Sequence, residues 1–166
     1  MALKIKIINS TDKDFIFWVD FFQKKITAEK DLSPRGVKEL KSLLSAGGAY
    51  VLEWSGQVVG FLIFSRLSRS IVEVHSLYTE KSFRRQGVDK KLIGRFVGDC
   101  KESILTVSFH SFVKDFFKKF EFKELSFFNL PLFAKFNFIK ERCRLRRLVA
   151  IFKFWSKNKP IYLLKE

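Results

Sequence analysis

The chain is poor in the residues that staple or metallate small proteins. Its 166 residues hold two cysteines, Cys100 and Cys143, too few for a disulfide framework or a zinc site. The two histidines, His75 and His110, have no cysteine or second histidine at ligand spacing, which argues against a structural metal. Proline numbers three and glycine eight, and no repeat or low-complexity linker divides the chain, so one domain over 1–166 is the expectation. Apolar runs such as Leu148 to Phe152 fall far short of the roughly 20 residues needed to span a bilayer. The opening MALKIKIINS places lysines inside what would be the apolar segment of a signal peptide, so a cytoplasmic location is expected.

Acidic residues are also scarce, 17 against 32 Lys and Arg, a net charge of +15. This excess favours anionic partners such as nucleic acid, phosphorylated small molecules or acidic surfaces, and says nothing about fold. It is unevenly placed: Pro131 to Glu166, the basic C-terminal part of the domain, carries ten basic and two acidic residues. Arg142, Arg144, Arg146 and Arg147, interleaved with apolar residues, suit the phosphates of RNA or an acidic protein along Lys140 to Arg147, or else form a solvated face. What is plentiful is core material, with 21 Phe and 47% hydrophobic residues, and global disorder is excluded.

Periodicity orders the elements. Lys4 to Asn9 alternates as a strand, and Ser10 or Thr11 is placed to cap a helix over Asp12 to Lys25. Ser33-Pro34 signals a second helix running to Ser45, stopped by Gly47-Gly48. Ala49 to Ser55 and Val58 to Ser65 flank Gly56-Gln57 as a hairpin, and Ile71 to Thr79 is a further strand. A basic loop, Ser82 to Asp89, precedes a helix over Lys90 to Lys101, for which Asp89 is the natural N-cap. A strand over Ile104 to His110, a helix over Phe112 to Phe120 and strands over Phe122 to Phe128 and Ile161 to Lys165 follow, with helix or irregular structure over Leu132 to Arg147. The order predicts an α/β (α+β) fold with a mixed sheet and helices on its faces.

The loop is an anion site on elementary grounds. A strand feeds a Gly-containing basic turn and a helix N-terminus, whose free N–H groups and dipole favour negative charge. Gly87 permits close approach or a positive φ, and Arg84, Arg85, Lys90 and Lys91 add full charges.

Three stretches together resemble the GNAT acyltransferase superfamily: GAYVLEWSGQVVGFLIF from Gly48, EVHSLYTEKSFRRQGVDKKLI from Glu73 and VKDFFKKFEFKEL from Val113. Arg84-Arg85-Gln86-Gly87-Val88-Asp89 follows the family's R/Q-x-x-G-x-G/A at its first and fourth positions and departs at Asp89. The family's later A-x-x-F-Y-x-x-x-G-F is met at Phe116 and Phe122, with Phe117 where the family has Tyr and Glu121 where it has Gly.

The resemblance implies a mostly antiparallel central sheet with helices on both faces, and transfer of acetyl from acetyl-CoA to a primary amine without an acyl-enzyme. It implies that Arg84, Arg85, Gln86, Gly87, Val88, Asp89 and Lys90 hold the pyrophosphate, and that Leu77, Tyr78 and Thr79 pair with the pantetheine arm as an added strand does. Glu73 is placed as the base, with His75 on the same strand face, and Tyr78, Ser108 and His110 are candidate acids. A thiol of pKa about 8.5 leaves tolerably without an acid. Family members often pair, so a homodimer is implied as well. The alternative is a catalytically weak or inactive GNAT-fold binding module that uses its basic C-terminal region to hold RNA or an acidic partner. The Phe-rich surroundings would also suit a longer acyl-CoA.

Overall fold

A computed structural model describes residues 3–108, 110–129 and 160–166. In chain order the elements are β1 (Leu3–Ile8), α1 (Phe15–Ala28), α2 (Val37–Ala46), β2 (Gly47–Trp54), β3 (Gln57–Arg66), β4 (Ile71–Thr79), a 3-10 turn (Lys81–Phe83), α3 (Val88–Asp99), β5 (Ser103–Ser108), α4 (Ser111–Lys118), β6 (Lys123–Leu125), a second 3-10 turn (Phe127–Asn129) and β7 (Ile161–Lys165). The predicted order of strands and helices holds over these residues. The described residues fall into two compact units, one drawn from 1–66 and 74–100, the other from 67–73 and 101–166, so the two ends of β4 belong to different units.

In the first unit β1 to β4 lie in sequence order. β1 pairs antiparallel with β2 (Ile5 with Leu52), and β2 with β3 through the two-residue turn Ser55-Gly56. Alternation sorts the side chains into two faces. Ala49 and Val51 of β2 and Phe61 and Ile63 of β3 join Trp18, Val19, Phe22 and Ile26 of α1 and Leu40, Leu43 and Leu44 of α2 in one buried cluster. The intervening residues face α3: Phe96 packs on Tyr50 and Phe64. Each fully buried Phe or Leu contributes about 1.5–3 kcal/mol, and these spacings place every one on an inward face. The helices therefore cover both faces of this part of the sheet.

In the second unit β7 lies between β5 and β6 and is antiparallel to both. Ile71, Leu105 and Tyr162 form its small core, and Ser103 N–H donates to Ser70 C=O at 2.9 Å.

Several boundaries differ from expectation. α1 begins at Phe15, because Asn9 Oδ1 accepts from Thr11 N–H (2.9 Å) and Asp12 Oδ1 from Asp14 N–H (3.0 Å), local turns that compete with helix. It continues to Ala28 because Ile26 is drawn into the core. α2 starts at Val37 with Gly36 as its uncapped entry, so Ser33 caps nothing. The strand expected over Phe122 to Phe128 is only Lys123–Leu125, since Ser126 accepts from Phe128 and Asn129 to start a 3-10 turn. The expectation for Leu132 to Arg147 lies outside the described residues.

Candidate active site

The end of β4 and the start of α3 are built from a sharp turn. Glu80 leads into the 3-10 turn, and Phe83 C=O accepts from Gln86 N–H at 3.4 Å. Arg85 and Gly87 both take positive φ, 65° and 77°. Gly87 is the N-cap of α3 in the left-handed region, and a Cβ there would meet nothing within 4 Å. The helix starts at Val88, two residues before the expected Lys90. Its first intrahelical bond runs from Lys91 N–H to Gly87 C=O at 3.0 Å, so the amides of Val88, Asp89 and Lys90 precede the hydrogen-bonded ladder.

The expected N-cap role of Asp89 is corrected by this geometry. Asp89 lies inside the first turn, Gly87 is the cap, and no side chain caps the helix. Among the described residues no amide at this helix start donates to the Asp89 carboxylate.

The turn is seated from beneath. Val88 is buried, and its Cγ1 lies 2.5 Å from where a Cβ on Gly60 of β3 would be. The same Cβ would meet the Tyr78 carbonyl at 2.8 Å and Leu92 Cδ1 at 3.2 Å. Only a residue without a side chain lets α3 lie this close to β3.

The cations divide into two sets. Arg84 Nη2 donates to Glu29 Oε2 at 2.9 Å, and Arg84 Nε to Thr79 C=O at 3.4 Å. Lys81 Nζ lies 3.8 Å from Glu29 Oε1. Gln86 Nε2 donates to Ser82 C=O at 2.9 Å. Among the described residues, Arg85, Lys90 and Lys91 are exposed and pair with no carboxylate.

Tyr78 stacks on Phe61 with ring centroids 4.9 Å apart, and its hydroxyl donates to Glu80 Oε2 at 2.8 Å. Glu80 also takes a short hydrogen bond from Lys25, whose ammonium lies 5.7 Å from the Tyr78 ring centroid. Burial, then donation to Glu80, pushes the Tyr78 phenol well above its ordinary 10. The hydrogen bonds from Lys25 and then Tyr78 hold the Glu80 carboxyl below its usual range, against a smaller opposing effect of burial. Leu77 and Thr79 flank Tyr78 on β4, both half-buried.

The remaining candidates are placed as follows. Glu73 is half-buried near the start of β4 and alternates with buried Val72 and Val74. His75 shares a 2.7 Å hydrogen bond between its Nε2 and Ser65 Oγ of β3. His110 ends no strand: it is the N-cap residue of α4, and its backbone N–H donates to Ser108 Oγ at 3.1 Å. Phe117 is buried, with Phe116 and Phe122 at ring distances of 5.3 and 4.9 Å. Glu121, at the family's Gly position, takes φ 66° in the turn that closes α4. Among the described residues no helix is long and apolar enough to cross a membrane, and no three His, Cys, Asp or Glu gather to hold a metal. Lys140 to Arg147, the expected polyanion surface, lies outside the described residues.

Sequence reasoning missed Glu29, Lys25 and Gly60. Glu29 and Lys25 each stand 55 residues from the partner they bind, and nothing local marks either. Gly60 was visible only as a glycine inside a strand, a known sign of close backbone approach.

No curated protein sequence matches the chain. Among solved structures, Ard1 from Thermoplasma volcanium is 16% identical, with a TM-score of 0.68 over 99% of this chain and 97% of that one. The ribosomal-protein-S18-alanine N-acetyltransferase from Escherichia coli is 11% identical, with a TM-score of 0.65 over 98% of this chain and 92% of that one. The N-acetylglutamate synthase from Neisseria gonorrhoeae, complexed with coenzyme A and N-acetyl-glutamate, is 15% identical with a TM-score of 0.63. That alignment covers 99% of this chain, which spans only 35% of the synthase. These likenesses show a shared fold. The family model described as "Acetyltransferase (GNAT) domain" matches residues 23–127, which include the Gly87 turn, Gly60 beneath it and the Phe116 to Phe122 motif. The chain belongs to the GNAT acetyltransferase family.

Proposed function

We propose that the protein is an N-acetyltransferase that moves acetyl from acetyl-CoA directly onto a primary amine. The observation that carries this reading is the start of α3, where Gly87 in the left-handed region leads to three amides ahead of the helical ladder, with Arg85, Lys90 and Lys91 exposed beside them. The CoA diphosphate takes these amides, together with Arg85 to Lys90 of the turn. Leu77, Tyr78 and Thr79 offer backbone groups to the pantetheine arm as an added strand would. The complex of the gonococcal synthase with coenzyme A supports a CoA ligand for the fold.

The amine, once neutral, attacks the thioester carbonyl. The tetrahedral adduct collapses with loss of the CoA thiolate, which takes up a proton, while the nitrogen gives one up. Glu73 is assigned as the base that receives the amine proton. Tyr78 and His110 are both assigned as candidate acids for the thiolate, the Tyr78 hydroxyl already donating to Glu80. Isothermal titration with CoA tests the reading. Binding in the micromolar range is expected, and no heat at millimolar CoA overturns it. A mass spectrum of the purified protein with CoA retained would support it independently.

Phe117 favours a second reading, a catalytically weak or inactive binding module. At the family's Tyr position it is buried among phenylalanines and has no proton to give. In that reading the basic C-terminal region holds RNA or an acidic partner. Salt-dependent RNA binding that is lost when Arg142, Arg144, Arg146 and Arg147 become Gln, with no acetyl transfer to any amine, would favour it.

A further inference from the structure

We infer that Glu29 is a positioning residue for the cofactor turn: by gripping Arg84 and Lys81 it holds the segment from Thr79 to Gly87 in the conformation that presents the α3 amides. Glu29 ends α1, and its side chain is only 11% exposed. Arg84 reaches it at 2.9 Å and Lys81 at 3.8 Å, and Arg84 at the same time reaches back to the Thr79 carbonyl. One carboxylate thus ties the start and the middle of the turn to a helix that is packed into the main core. A second tie runs in parallel, since Lys25, one helical turn earlier on α1, pairs with Glu80, and Tyr78 donates to the same carboxylate. Both ties join the C-terminal turns of α1 to the strand-to-turn junction.

The turn needs such ties. It contains Arg85 at φ 65°, a conformation that a side-chain-bearing residue disfavours, and its interior bonds, Arg84 N–H to Lys81 C=O at 3.3 Å and Gln86 N–H to Phe83 C=O at 3.4 Å, are long. Arg84 is consequently a strut rather than a free phosphate ligand, and the charge offered to an anion comes from Arg85, Lys90 and Lys91.

Electrostatics and positioning make opposite predictions for Glu29→Gln. Removing a negative charge beside the turn raises its positive potential and would tighten CoA binding. Releasing the strut lowers the fraction of molecules with a competent turn and weakens binding by that fraction. The inference rests on the acetyltransferase reading only where CoA is the probe, so the experiment has an arm without it.

In the full-length protein, hydrogen exchange of the hydrogen-bonded amides of this segment, Glu80, Phe83, Arg84, Gln86 and Lys91, is measured without ligand for wild type, E29Q and the swapped pair E29R/R84E. Faster exchange by about fivefold in E29Q, confined to this segment and reversed in the swapped pair, is expected. In the second arm the CoA dissociation constant of E29Q rises about fivefold. Unchanged exchange in E29Q, or tighter CoA binding with unchanged exchange, overturns the inference. If E29Q loses its melting transition, Arg84→Lys takes its place, because a lysine keeps the charge but cannot reach Glu29 and Thr79 together. Equal exchange in R84K and wild type is then the overturning result. Failure of the wild type to bind CoA sinks the acetyltransferase reading and leaves the exchange arm to decide the role of Glu29.

Discussion

Replacing Gly60 by Ala should loosen the foundation of the turn that opens α3. The added methyl carbon would lie 2.5 Å from Val88 Cγ1, 2.8 Å from the Tyr78 carbonyl oxygen and 3.2 Å from Leu92 Cδ1. Ordinary van der Waals contact begins near 3.4 Å, so the first turn of α3 must retreat by about 1 Å. Gly60 does not have a positive φ, so the objection is steric and not conformational. Overpacking of this kind costs about 1–3 kcal/mol, which for a chain of this size lowers Tm by about 2–10 °C. Urea unfolding measures the loss. Val88→Ala in the same background removes the closest of the three contacts and leaves the carbonyl, so it should restore part of the loss and no more. The coupling energy of the double-mutant cycle is expected to be about 1 kcal/mol. Retreat of α3 also moves the amides of Val88 to Lys90, so CoA affinity should fall in Gly60→Ala and partly recover in the double variant. A Gly60→Ala protein within about 0.5 kcal/mol of wild type, or a cycle with no coupling, would show that Val88 does not seat α3 on β3.

Other perturbations test other elements. Glu73→Gln should lower kcat by at least about a hundredfold with little change in CoA affinity, measured by thiol release; unchanged kcat removes Glu73 from the proton transfer. Glu121→Gly should raise Tm, because Glu121 occupies φ 66° and its own side chain is solvent-exposed; a lower Tm would refute the strain argument. Glu80, held below its ordinary 4.5, stabilises the fold above that pH, and the contribution disappears as pH falls through the lowered folded value; Glu80→Gln should flatten that acid limb of the stability curve. Tyr78, raised above its ordinary 10, stabilises the fold below pH 10, and stability should decline above it as the unfolded chain ionises first; Tyr78→Phe should make the alkaline limb shallower in urea titrations.

The order of elements was legible because it depends on near neighbours. Phe15, Trp18, Val19 and Phe22 repeat at helical spacing, and Gly56-Gln57 marks a break between two apolar runs, so local periodicity and turn chemistry specify α1 and the β2-β3 hairpin, although the turn itself is Ser55-Gly56, one residue earlier. The basic, Gly-containing stretch before α3 was legible for the same reason. Its helix start was misjudged because Asp89 has the chemistry of an N-cap, while burial of Val88 against Gly60 pulled the first turn two residues earlier. Packing outweighed capping preference, since a buried Val side chain contributes about 1.5–3 kcal/mol and a cap about 1 kcal/mol.

The sequence by itself determined the succession of strands and helices, the basic balance of the chain and the presence of an anion-attracting turn, because composition and short-range spacing carry those directly. Tertiary structure alone decided which of that turn's cations are tied to a carboxylate. Arg84 and Arg85 are adjacent in the chain and chemically identical, yet one is bound by Glu29, 55 residues away, and the other pairs with no carboxylate among the described residues. No local pattern distinguishes them, because their difference arises only when α1 packs against the sheet and brings a carboxylate within hydrogen-bonding distance of one and not the other.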